Sequence, residues 1–130
     1  MRDKDGGDCS VIKRQLIEKV KASGKQEFTL VRIACTELES FYLGDLNAVE
    51  QGLGISNLAK KQQEKKYRTS DVLSNAAQEL QKLTQRKYQK VSGSRAIGLH
   101  LKTDGSDGSN RSHSFNVLLN GIEKLVSITS

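Results

Sequence analysis

Eleven lysines and arginines fall between residues 59 and 102, against three carboxylates, Glu64, Asp71 and Glu79. That window carries a net charge of +8 while the whole chain carries +6, so everything outside it sums to −2. Positive charge gathered in this way suits one task above others, the neutralisation of a polyanion with release of its condensed counterions. Lys60, Lys61, Lys65, Lys66 and Arg68 open the run. Gln78, Gln81, Lys82, Gln85 and Arg86 come next on what reads as the polar face of a helix, with Lys87, Lys90 and Arg95 after them. Lysine, arginine and glutamine are the side chains that contact phosphates and base edges. Arg111, across a polar loop that starts after Lys102, completes the candidate nucleic-acid-binding set. Tyr67 and Tyr88 flank the helix, where they would pack on a sugar or a base.

Other chemistries find little to work with. No histidine is paired locally with a serine or cysteine, and no carboxylate pair sits in an apolar run, so no catalytic residue is assigned. Gly52-Leu53-Gly54 and Gly24-Lys25 are fragments of phosphate-loop patterns that lack the preceding strand and the full spacing. His100 and His113 would face each other across a hairpin, but neither has a further ligand at metal-binding spacing. The Asp104–Asn110 stretch has the composition of a calcium loop without its closing bidentate glutamate. The expectation is therefore no metal, no cofactor and no enzyme.

At 130 residues the chain is long enough for one domain with one core. A pI near 9.4 favours an acidic partner, nucleic acid before membrane surface or acidic protein. Cys9 and Cys35 are too few and too far apart to be a disulfide framework. Reduced cysteines and a charged, glycine-containing start place the protein inside the cell, in the cytoplasm or, if eukaryotic, the nucleus. No apolar run approaches the length of a bilayer span, so no membrane association is expected.

The elements that must position these residues are read from periodicity. Residues 1–9 read as a disordered lead-in, and residues 10–130 as a single domain. Ser10 is a candidate N-cap for a helix carrying Ile12, Leu16, Ile17 and Val20 on one face, stopped by Gly24. Leu30, Ile33, Ala34, Leu38, Phe41 and Tyr42 predict a second helix over 28–42, capped by Thr29 and broken at Gly44-Asp45. Ala48, Gly52 and Leu58 stand at offsets of a helix-turn-helix unit. Thr69 or Ser70, with Asp71 in the first turn, would start the basic helix, which runs over 70–87.

Ser92-Gly93-Ser94 then predicts a turn, and the alternation of Ile97, Leu99 and Leu101 predicts a strand over 95–102. Phe115, Val117 and Leu119 predict a second strand over 114–119. Asn120-Gly121 is a hairpin signal, leading to a third strand over 122–128.

Helices first and an antiparallel meander after them give an α+β class, with N-terminal helices and a small C-terminal antiparallel sheet. The order resembles the helix-turn-helix and winged-helix arrangement, with residues 88–119 as the wing. That reading implies a regulatory or architectural nucleic-acid-binding protein, duplex DNA favoured over RNA, held through the 70–87 helix and the adjacent hairpin. Two rivals remain. One is an RNA binder using the sheet after residue 95 with Tyr88 and Phe115; the other is an interaction adaptor whose basic face docks an acidic protein. Oligomeric state leaves no mark on the sequence.

Overall fold

The computed structural model describes residues 2–3, 9–26, 29–34, 37–103 and 110–129. The expected lead-in therefore lies outside the described residues except at its end and at Arg2–Asp3, and so do most of the 103–112 loop and Cys35.

Helix α1 spans Cys9–Ser23. Ile12 is buried and Leu16, Ile17 and Val20 are half-buried along one face, as the periodicity predicts. Gly24, at φ +73°, ends the helix in a conformation that costs other residues more. Ser10 lies inside α1 and not ahead of it. Residues 29–34 are not helical. Strand β2 (Ile33–Ala34) pairs in parallel with β1 (Arg2–Asp3), Arg2 opposite Ile33 and Asp3 opposite Ala34, with α1 as the crossover. This overturns the helix expected over 28–42 at residues 29–34; residues 39–42 of it are helical, and 28, 35 and 36 lie outside the described residues. Alternating β-branched Thr29, Val31 and Ile33 suit an extended backbone, and pairing with β1 wins over the apolar stripe. Thr29 caps nothing; its hydroxyl donates to the Lys25 carbonyl at 2.6 Å.

Helix α2 (Glu39–Leu43) is buried along its whole length, and the expected break at Gly44-Asp45 is where it stops. Asp45 Oδ1 accepts the Ala48 N–H at 3.2 Å and so caps α3 (Leu46–Leu53). Ala48 is buried, but no second helix comes after it in helix-turn-helix geometry. Instead, 3-10 turns occupy Ala59–Gln63, Lys65–Tyr67 and Ser70–Val72. Gly54, at φ +66°, makes the turn. Gly52 serves packing: a Cβ there would lie 2.7 Å from the Ala96 carbonyl oxygen.

Helix α4 (Ala76–Leu83) is shorter than the 70–87 helix expected. Its first turn is not capped by Thr69 or Ser70; the Ser70 hydroxyl donates to the Ser40 carbonyl at 2.8 Å. Helix α5 (Lys90–Gly98) replaces the first expected strand and absorbs the Ser92-Gly93-Ser94 turn. Ile97 is buried there and Leu99 is 85% exposed, which no shared strand face allows.

Helix α6 (His113–Thr129) replaces both remaining strands and their hairpin. Phe115, Leu118, Leu119, Ile122 and Leu125 repeat at helical spacing as readily as Phe115, Val117 and Leu119 alternate, and the helix start is heavily satisfied. The Ser112 hydroxyl oxygen accepts the Phe115 N–H at 3.2 Å, and Asp71 Oδ2 accepts the Ser114 N–H at 2.7 Å. Asp71 thus caps a helix forty residues on and not its own. Gly121 sits in mid-helix because Leu30 and Arg32 press on it; a Cβ would come within 2.7 Å of Leu30 Cδ1.

The fold is therefore six α-helices among the described residues, with one two-residue parallel pairing, and not an α+β domain with a C-terminal antiparallel sheet. The core gathers Phe41, Leu43, Leu46, Val49, Leu58, Leu80, Ile97 and Phe115 around Tyr67 and Tyr88. Phe41 and Phe115 meet at 5.0 Å between ring centres, which fastens α6 to α2.

Candidate nucleic-acid interface

Helix α4 buries Ala76 and Leu80 and turns Gln78 and Lys82 to solvent. Its last turn sets the course of the chain beyond it. The Arg86 N–H donates to the Gln81 carbonyl at 2.8 Å and the Gln85 N–H to the Lys82 carbonyl at 3.2 Å. This paired closure is a Schellman ending, with Gln85 at the position glycine usually fills. Gln85 has φ +52° and Arg86 φ +66°, so two consecutive side chains hold left-handed backbone. Thr84 anchors the turn from inside: its hydroxyl donates to the Leu80 carbonyl at 2.8 Å and accepts the Tyr88 N–H at 3.2 Å.

Two surface depressions flank this turn. Ala77, Gln78, Gln81, Lys82 and Arg86 line one of about 340 Å³. The second, of about 230 Å³, lies between the turn and the chain after α3, and takes in Asn57, Lys61, Gln85 and Lys87. No carboxylate lines either one. Lys61 reaches the site because Gln62 fixes its 3-10 turn. The Gln62 amide donates to the Leu43 and Tyr67 carbonyls at 3.0 and 2.6 Å and accepts the Leu46 N–H at 2.8 Å. Glu50 fixes the preceding loop by accepting the Asn57 and Ala59 N–H groups at 3.3 and 2.8 Å.

Lys61, Gln78, Lys82, Gln85, Arg86 and Lys87 thus share one neighbourhood. Lys60, Lys65 and Arg68 are exposed along the adjoining 3-10 turns, with Arg68 Nε donating to the Gln63 carbonyl at 2.7 Å. Lys66 is committed elsewhere, to an ion pair with Glu79 at 2.7 Å. Hydrogen bonding to Glu79 pushes the Lys66 ammonium up to about 12, and the bonds from Lys66 and Tyr67 hold Glu79 below its ordinary value. Lys90 and Arg95 are exposed on α5. Arg111 is exposed beside Gly44, whose carbonyl accepts its N–H at 2.8 Å, and no described contact joins it to α4.

The aromatic residues do not face a ligand. Tyr67 is 2% exposed and its hydroxyl donates to Glu79 Oε1 at 2.6 Å; Tyr88 is 1% exposed and donates to Glu39 Oε1 at 2.9 Å. Burial first, then the bond to Glu79, pushes the Tyr67 phenol up to about 12, and burial raises that of Tyr88. Phe115 is buried as well, and with α5 and α6 in place of the strands the described residues form neither the wing nor the sheet-borne RNA surface.

The chain matches no protein-family model, no curated protein and no solved structure. Its own geometry is the ground for a functional reading.

Among the described residues, no three His, Cys, Asp or Glu side chains are grouped to hold a metal ion, and no helix is long and apolar enough to cross a membrane. With no hairpin formed, His100 lies just past α5 and His113 opens α6. Sequence reasoning missed Asn57 as a member of the site and Gln62 and Glu50 as its supports. The Gly54-Ile55-Ser56-Asn57 composition was a turn signal pointing to Asn57; nothing local marks the long-range bonds of Gln62.

Proposed function

We propose that the protein binds nucleic acid along its phosphate backbone, through the cationic end of α4 and the 3-10 turns beside it, in an architectural or regulatory role without catalysis. The observation that carries this reading is that Gln78, Lys82 and Arg86 line one depression beside the α4 turn and Lys61, Gln85 and Lys87 another, and no carboxylate lines either. Such a face gains affinity from counterion release and gives little sequence preference.

Duplex DNA is favoured over single strands for a specific reason. Single-strand binders stack bases on aromatic side chains, and Tyr67 and Tyr88 are both folded inward. The duplex offers denser phosphate charge and asks for no stacking platform.

Fluorescence-polarisation titrations with duplex DNA, single-stranded DNA and RNA, each at low and moderate salt, test the proposal. The expected order is duplex tightest, with every affinity falling as salt rises. Absence of binding to all three would leave the same face as a dock for an acidic protein.

A further inference from the structure

We propose that the depression between the α4 turn and residues 55–61 is a seat for a phosphate monoester dianion, the group that ends a nucleic-acid strand. In its strand-end form this rests on the nucleic-acid reading above. Three observations support it. First, two lysines, Lys61 and Lys87, line it from separate elements, and Ser56, Asn57 and Gln85 line it as further polar residues. Second, it is the more closed of the two depressions beside the turn. An internal phosphodiester runs along a surface with chain on both sides; a terminal phosphate can enter a recess end-on and carries more charge.

Third, the described residues include three non-glycine positions with φ in the left-handed region, and two of them, Asn57 at +69° and Gln85 at +52°, line this hollow from opposite sides. The remaining one, Arg86, is next to Gln85. Strained backbone of this kind persists where the surroundings enforce it and concentrates at ligand-holding positions. Helix ending explains Gln85 and Arg86, and the turn after α3, its Asn57 N–H held by Glu50, explains Asn57; together they set the two walls of the hollow. Thr84, buried at 1% exposure, keeps the wall rigid through its bonds to Leu80 and Tyr88. Glu50, which holds the loop beside it, accepts two backbone N–H groups and does not line the hollow.

The test compares one duplex with and without 5′-phosphates, alongside inorganic phosphate and a nucleoside monophosphate, by polarisation and by amide chemical shifts. The 5′-phosphorylated duplex is expected to bind about tenfold tighter than its hydroxyl-ended twin, about what two charge-assisted contacts supply. The variants Lys61→Gln and Lys87→Gln should weaken both duplexes, since both residues belong to the backbone-binding face, and should bring the ratio between them to one. If the duplex binds but the end phosphate makes no difference, this inference is overturned and the backbone-binding reading survives. If no duplex binds, the general reading fails. The hollow then stands only if inorganic phosphate or the nucleotide shifts the amides of residues 57, 61, 85 and 87, and it falls if they stay still. A response to the nucleotide alone assigns the seat to a free metabolite; a response to the phosphorylated duplex assigns it to strand ends.

Discussion

The Tyr88 hydroxyl donates to Glu39 Oε1 across 2.9 Å, forty-nine residues apart in sequence. The bond joins the residue just after the cationic turn to the buried helix α2, so the position of that turn depends on the core. Ser94 Oγ lies 3.2 Å from the same hydroxyl and extends the link to α5.

Tyr88→Phe keeps the ring but leaves Glu39, itself 4% exposed, without that hydroxyl. A buried polar group that loses its partner costs about 1–3 kcal/mol. Urea denaturation should show a lower midpoint at unchanged slope, the product of slope and shift equalling that loss. An unchanged midpoint would mean the bond does not tie the turn to the core.

Gln85 occupies the left-handed position of a Schellman ending, where glycine carries no Cβ penalty. Gln85→Gly should therefore stabilise the protein by about 0.5–1 kcal/mol, read again from the urea midpoint. Binding should weaken at the same time, because the side chain lines the hollow beside Lys61 and Lys87. Destabilisation would show that the amide side chain, not the backbone, governs the turn.

The Lys66–Glu79–Tyr67 cluster sets the expected response to pH. Glu79 is held below its ordinary 4.5, so its contribution is present above that value and lost as pH falls through the lower folded one. Lys66 and Tyr67 are both raised to about 12, from 10.5 and 10.0. The folded state then keeps protons that the unfolded chain has released, so their contribution holds below pH 10 and is lost as pH rises towards 12. Thermal midpoints at pH 4, 7 and 11 should fall at both extremes, and Glu79→Gln should flatten both limbs. A variant with the wild-type profile would place the pH dependence elsewhere.

Much of the site was legible in sequence and much of the fold was not, for identifiable reasons. Charge concentration is a property of composition, so the cationic window survives any rearrangement of the elements beneath it. Gly24 and Gly44-Asp45 also read true, because chain breaks are local. The C-terminal half misled because Phe115, Val117 and Leu119 satisfy a two-residue period while Phe115, Leu118, Leu119 and Ile122 satisfy a helical one. Capping by Asp71 from far up the chain settles the matter in favour of α6. Asn120-Gly121 carried a turn signal only if Gly121 was needed for its backbone freedom, and it is needed for its missing side chain. The tyrosines were misplaced for the opposite reason: their polar tips find Glu39 and Glu79 inside the protein.

The most direct test of nucleic-acid binding by this face is the salt dependence of duplex affinity in the variant with Lys82, Arg86 and Lys87 all changed to alanine. For B-DNA, log K falls with log salt by about 0.9 for each phosphate neutralised. Loss of three contacts should weaken binding and flatten that slope by about 2–3. A variant whose slope and affinity equal those of the wild-type protein would contradict the assignment of this face to nucleic acid.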